Sequence, residues 1–308
     1  MIELDFIWRP ANNHWAAKNV PPEIPSQFAA WAASEPRFNP DPANYNLFNV
    51  CQDQQGRCTY QTSSIHARSC YLGKDSQNNH YFAKGIGWVL ADGWTPSFGS
   101  TGILPLWAAE RERDIAIQLT KIGLSVVEPV SIRIHKGVPA YGTKHSEQIE
   151  SASILDLDGS KAYPSMYIYR SNCRWRLADL PFLSSSHREH LFDELGGVDR
   201  WLQGLITQLS ESVGVLHKNK GHDHSLSSHN VFLNGQRLDF EYAVIKEYPH
   251  RLKELNNNQL GWREKELYSL KLLAYEVAEL TNVKWTSSYL ETLIRDKYED
   301  ISSSKFPF

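Results

Sequence analysis

Residues 216–241 read LHKNKGHDHSLSSHNVFLNGQRLDFE, and the rest of the chain sorts itself around them. They leave an amphipathic helix, cross a polar turn, enter a short apolar run at Val231, Phe232 and Leu233, turn at Asn234-Gly235 and finish on Leu238, Asp239 and Phe240. An Asn-Gly pair between two apolar runs is a strong hairpin signal, because both residues tolerate positive φ. Such a turn sets Asn230 and Asp239 side by side. Both side chains are hard oxygen ligands, which suits Mg²⁺: this ion keeps several waters and completes its shell with a carboxylate and substrate phosphates.

Working outward, Val198, Trp201, Leu202, Leu205, Ile206, Leu209, Val213 and Leu216 recur at steps of three and four, which predicts a buried helix feeding the turn. Two further helices are expected over 264–280 and 287–298, followed by a short frayed tail at Ser302 to Ser304. On the N-terminal side, SCYL from Ser69 and HYFAK from His80 read as two strands joined by a polar turn over 73–79. A glycine-rich passage comes next, with Gly85 and Gly87 after Lys84 and then Thr95, Pro96 and Ser97; its glycines permit close backbone approach to a ligand, or simply a mobile loop. Helical spacing of Trp107, Ala108, Ile115, Leu119 and Ile122 predicts a helix over 107–122 capped by Gly123. Strands are expected over 126–134, 154–157 and 166–169.

The bulk numbers set the frame. A chain of 308 residues with 41% hydrophobic content can bury one large core or two modest ones. Net charge is -3 and both signs are spread along the length, so no nucleic-acid surface is expected. No signal peptide or apolar run of membrane length stands in the sequence, so a cytoplasmic setting is expected, with export left open. Cys51, Cys58, Cys70 and Cys173 fit no tight metal spacing and read as thiols, although a Cys51 to Cys58 disulfide is permitted. Residues 1–60, rich in Pro, Asn and aromatic side chains, read as an irregular extension packed on the first lobe, with one short helix near 27–33.

These pieces assemble into an expected α+β, bilobal, protein-kinase-like fold: a small β-rich N-lobe over 61–176 with one key helix, and a mainly helical C-lobe over 177–308. Protein kinases hold nucleotide-bound metal with an Asn from the catalytic loop and an Asp from the following strand, here Asn230 and Asp239. A strand lysine that faces phosphates needs a fixed partner; Lys84 is that lysine and Glu112, on the helix, its partner. The plain alternative for Glu110 to Asp114 is a solvated face of mixed charge. Five residues before Asn230, where a kinase carries its catalytic Asp, this chain has Ser225. Asp223 and His229 are the nearby groups able to act as base, imidazole being the side chain that changes charge near neutral pH.

In order, Leu72-Gly73, Phe82 to Gly87 (FAKGIG), Thr95-Pro96-Ser97, Arg111-Glu112 with Gly123 eleven residues after the Glu, and Asn230 with Asp239 nine residues on resemble the selenoprotein O (SelO) family. The resemblance is scattered over about half of the chain. It implies a kinase-like fold that transfers AMP from ATP to protein hydroxyls, with the nucleotide bound in reverse and two lobe-connecting arginines on its outermost phosphate. Arg170 and Arg176 stand in the comparable segment, six apart where the family's pair is seven apart. Gly85, Gly87, Thr95 and Ser97 match its nucleotide loop. The family has Asp where His229 stands, and its C-terminal cysteine has no counterpart here, so the chain resembles a minimal, divergent member.

The sequence therefore points to ATP with Mg²⁺ or Mn²⁺, and to a protein or small-molecule hydroxyl acceptor. Transfer of the γ-phosphate by the same site, or a catalytically dead binding module marked by Ser225, are the competing expectations. A metal hydrolase built on His222, His224 and His229 is disfavoured, because no second cluster supplies a carboxylate.

Overall fold

Strand Pro164–Ser171 (PSMYIYRS) buries nearly every side chain, and a strand so apolar on both faces belongs in the middle of a sheet. The computed structural model describes residues 40–42, 51–52, 58–59, 69–75, 77–85, 104–135, 137–139, 148–150, 153–156, 159–246, 249 and 259–307. The expected helix near 27–33, and Gly87, Thr95 and Ser97, lie outside these residues.

In chain order the elements are β1 (Pro40–Pro42), β2 (Cys51–Gln52), β3 (Cys58–Thr59), β4 (Ser69–Lys74), β5 (His80–Lys84), β6 (Leu104–Pro105), α1 (Leu106–Lys121), β7 (Glu128–Ile134), β8 (Gly137–Pro139), β9 (Gln148–Glu150), β10 (Pro164–Ser171), a 3₁₀ turn (Leu177–Phe182), α2 (Ser185–Glu194), α3 (Val198–Lys218), α4 (Gln259–Leu280) and α5 (Ser287–Ser302). This is an α+β protein. The chain divides into two compact units: one comprises Met1–Trp8, Ile115–Val127 and Cys173–Phe308, the other Arg9–Asp114 and Glu128–Asn172. Each is built on its own logic.

The second unit holds the sheet. Its order is β1-β7-β10-β5-β4, with β6 also on β10; β1 pairs with β7 in parallel and the remaining neighbours are antiparallel. β5 lies between β4 and β10, and Tyr81, Phe82 and Ala83 are buried there. Phe82 stacks on Tyr169 with ring centroids 5.4 Å apart. Over residues 154–156, the described part of the strand expected at 154–157, no strand forms. Leu155 makes an isolated bridge to Lys161, and the backbone turns back through the bonds from Asp156 N to Ser160 O and from Gly159 N to Asp156 O. Only Ile154 and Leu155 are consecutive apolar residues there, and Asp156 binds the backbone of the Gly159-Ser160 turn instead of a neighbouring strand.

The helical unit is organised on α3. The predicted stripe is the buried one: Trp201, Leu202, Leu205, Ile206, Leu209, Val213 and Leu216 all face inward. All but Leu216 pack with Leu177 and Leu180 of the 3₁₀ turn, Leu226, Val231 and Leu233 of the polar turn and hairpin, and Leu267, Leu270 and Val277 of α4 with Ile294 of α5. The second half of α1 contributes Ile115, Ala116 and Leu119 to a further cluster with Leu216, Phe240 and Ile245. Gly123 N bonds to Thr120 O and Leu124 N to Leu119 O, the paired bonds that close a helix C-terminus. The expected fraying at Ser302 to Ser304 is corrected: Phe306 N donates to Glu299 Oε1 at 2.7 Å, and the buried Phe306 ring meets Tyr298. Among the described residues, no helix is long and apolar enough to cross a membrane.

One buried imidazole in the sheet unit carries a stability prediction. His135, just past β7, is 2% exposed and donates from Nε2 to the Gly85 carbonyl at 2.9 Å. Burial lowers its pKa from 6.5 to about 4, with the Gly85 bond opposing part of that fall. The native state holds the ring neutral while the unfolded chain takes up a proton below pH 6.5, so stability is full above that pH and falls between 6.5 and 4. The loss corresponds to roughly 3 kcal/mol. Urea denaturation of His135→Gln, which keeps a donor for Gly85, should show a flatter profile across that window; an unchanged slope would remove His135 as the cause.

Candidate functional site

Lys84 ends β5 and Glu112 lies on α1. A lysine at 2% exposure needs a counter-charge, since an unpaired buried ammonium is heavily penalised. Its Nζ donates to Glu112 Oε2 at 2.6 Å, with the carboxylate side chain fully buried. Glu110, two positions earlier, is only half-buried, as helical geometry requires of a neighbouring face. Tyr167 is the cross-strand partner of Lys84 in register. Its hydroxyl is buried with no hydrogen-bond partner among the described residues, and burial, reinforced by the Glu112 charge, pushes its pKa well above 10.0.

Gly85 is the next residue. It sits at φ +89°, and a Cβ there would meet the Ser165 carbonyl oxygen at 2.3 Å and Leu104 Cβ at 2.7 Å. The close approach at this glycine is to the backbone of β10 and to Leu104 of β6. Arg170 in the sheet unit donates to Glu128 at 2.7 Å. Arg176 belongs to the helical unit, where its Nη1 donates to the His229 carbonyl at 2.9 Å and its backbone N to Asp179 Oδ2 at 2.7 Å. The two arginines expected to act as a phosphate pair are therefore each engaged by protein groups in separate units.

In the helical unit the turn forms, but its arms meet through an isolated bridge and not as two strands. Gly235 takes φ +78°, Gly235 N bonds to Phe232 O, and Val231 bridges to Arg237. Leu238 N bonds to Asn230 O at 3.1 Å, which brings Asn230 and Asp239 onto adjacent positions of the two arms. Ser225 links them further. Its carbonyl accepts from Asn230 Nδ2 at 2.8 Å and its Oγ lies 2.6 Å from the Asp239 carbonyl. Asp239 itself adopts φ +69°, a left-handed conformation that Asp tolerates better than most residues. A carboxylate oxygen of Glu241, buried two residues on, lies within 4.8 Å of one from Asp239. Glu241 was missed in the sequence although it closes the same segment; its spacing of two from Asp239 was the available signal.

Asp223, expected as a base, is held at both carboxylate oxygens. Oδ1 receives Ser225 N at 3.0 Å and faces Ser225 Oγ at 2.6 Å, while Oδ2 receives Arg237 Nη2 at 2.6 Å. At 2% exposure this carboxylate is part of the frame. Arg237, 1% exposed, also donates to Glu266 Oε1 at 2.9 Å and to Ser212 Oγ at 3.2 Å. Glu266 Oε2 receives both His217 Nε2 at 3.0 Å and Asp223 N at 2.9 Å. Burial pushes the Glu266 carboxyl up, but the His217 bond and the Arg237 charge outweigh it and hold the pKa at about 2. For Asp223 burial is the larger effect and the pKa is raised despite Arg237. His229 is exposed, on the short turn Ser228–Asn230. His222 and His224 pack edge to face against each other at 4.9 Å, and the His224 ring lies 4.1 Å from that of Trp262.

No family model matches the chain, and no curated protein matches it either. The chemistry of the site therefore rests on its own side chains.

Three substitutions test how the sheet unit holds its buried groups. Lys84→Met strands a buried carboxylate and should cost about 3–5 kcal/mol in denaturant unfolding, whereas Lys84→Met with Glu112→Leu should regain most of that. A double variant as unstable as the single would show that Glu112 does not depend on Lys84. Gly85→Ala should lose more than about 2 kcal/mol, because it adds a clash with backbone to a strained φ. An Ala variant as stable as the natural protein would refute the close approach to Ser165.

Proposed function

We propose that the chain is an ATP-dependent transferase of kinase-like, bilobal organisation that moves AMP from ATP onto a protein hydroxyl, as its resemblance to the SelO family implies. The observation that carries the reading is the buried ion pair of strand Lys84 with helix Glu112 at 2.6 Å. An ammonium fixed by one carboxylate is pre-set to bind phosphate oxygens with little reorganisation, which is how kinases use this pair. On this reading the sheet unit plays the part of the N-lobe and the helical unit that of the C-lobe.

The donor set in the helical unit suits Mg²⁺ or Mn²⁺. Asn230 commits its amide nitrogen to Ser225, which turns its oxygen elsewhere, and Asp239 and Glu241 add carboxylate oxygens. These residues would hold the ion, which when bound would neutralise charge on the triphosphate. Lys84 binds phosphate oxygens and Glu112 orients Lys84. His229, exposed and adjacent to Asn230, accepts the proton of the acceptor hydroxyl as its oxygen bonds to the α-phosphorus and the bond to the β-phosphate breaks, releasing pyrophosphate.

A second reading, a binding module without catalysis, is favoured by one fact: Ser225 occupies the usual base position and Asp223 is locked to Arg237. Incubation with Mg²⁺ and ATP labelled at the α or at the γ phosphorus decides between them. The proposal expects label from α-ATP in a protein acceptor or in the chain itself, reduced more than about 100-fold in Asp239→Asn, a change that suits the left-handed backbone. Transfer of γ-label alone would make the chain a kinase, and no transfer with retained ATP binding would make it a binding module.

A further inference from the structure

Asn230 and Asp239 stand on opposite arms of a hairpin, so a metal ion that needs both oxygens in fixed positions requires something to register one arm against the other. Ser225 is in contact with both. We propose that Ser225 is the positioning residue of the metal-binding half, anchored from behind by Asp223, and is not merely the scar of a lost base. The inference rests on the metal-dependent reading of this site and names the residue on which its geometry depends.

Three groups of this one residue make the contacts. Its carbonyl accepts from Asn230 Nδ2 at 2.8 Å, which fixes which end of a near-symmetric carboxamide can face an ion. Its Oγ lies 2.6 Å from the Asp239 carbonyl, the point at which the chain is held at φ +69°. Its backbone N donates to Asp223 Oδ1 at 3.0 Å, and its Oγ lies 2.6 Å from that same oxygen. A single hydroxyl proton cannot serve both acceptors at once, so Oγ is a pivot between the Asp239 backbone and the Asp223 carboxylate. Asp223 cannot yield in turn. Arg237 grips it at 2.6 Å, Glu266 grips Arg237 at 2.9 Å, and His217 of α3 grips Glu266 at 3.0 Å. Helices α3 and α4 thereby reach the metal-binding side chains through Ser225, an outer shell of the kind that orients ligands it never replaces.

The test is Mn²⁺ affinity of the full chain, measured without nucleotide by electron paramagnetic resonance. The natural protein should bind Mn²⁺ and Asp239→Asn should abolish that binding. Ser225→Ala should weaken it about 10-fold or more, and Ser225→Thr, which restores a hydroxyl, should recover most of the loss. Ser225→Cys, nearly isosteric but a weak donor, is expected to weaken binding likewise and serves if the Ala variant does not fold. Asp223→Asn should weaken binding in the same sense, and its combination with Ser225→Ala should be no worse than the more severe single change. Unaltered affinity in both the Ala and Cys variants overturns the inference while leaving the metal reading intact, and a fully additive double variant overturns the anchoring by Asp223. Failure of the natural protein to bind Mn²⁺ in an Asp239-dependent way overturns the metal reading and the inference together.

Discussion

A guanidinium with 1% of its surface exposed sits between two buried carboxylates, and the helical unit depends on that arrangement. Removing charged groups from water is so costly that Arg237, Asp223 and Glu266 are tolerable only as a set. The set ties together three places that are distant in sequence: the polar turn, the hairpin arm and α4. His217 and Ser212 extend it into α3, and Tyr298 of α5 lies 3.0 Å from His217 Nδ1. An apolar core would hold the same helices with less geometric demand. The polar set fixes instead where one particular turn must stand.

The sheet unit solves a related problem with fewer parts. Lys84 and Glu112 come from a strand end and a helix and neutralise each other in a dry setting. The strand delivers the lysine because β5 is covered on both edges, by β4 and β10, and Gly85 lets the chain leave that crowded position. Buried charge of this kind contributes little net stability. The proposed function gives the pair, with Lys84 at 2% exposure, a use beyond folding.

Periodicity and turn chemistry made much of this legible in advance. The stripe on α3, the β4 and β5 strands and the Asn-Gly turn are local signals, and each stands within a residue or two of its expected place. The Lys84 to Glu112 pairing could be anticipated from the order of strand and helix. What stayed hidden was long-range partnership among polar residues. Nothing near Asp223 in sequence announces Arg237 and Glu266, which come from 14 and 43 residues away, so Asp223 looked like an available base. Ser225 read only as a missing base, because nothing in a serine's identity announces its bonds to Asn230 and Asp239. Gly85 gave a true signal of crowding but not of what crowds it, because Ser165 lies far along the chain. The docked Phe306 was invisible since its partner, Glu299, accepts through a side chain rather than through any repeat.

The left-handed backbone at Asp239 has a consequence for substitution. Among coded residues, Asn and Gly accept that conformation most readily, and both are one nucleotide away from the codons for Asp. Exchange of Asp239 for Asn or Gly can therefore remove the carboxylate without disturbing the hairpin, so at this position charge and backbone shape are separable.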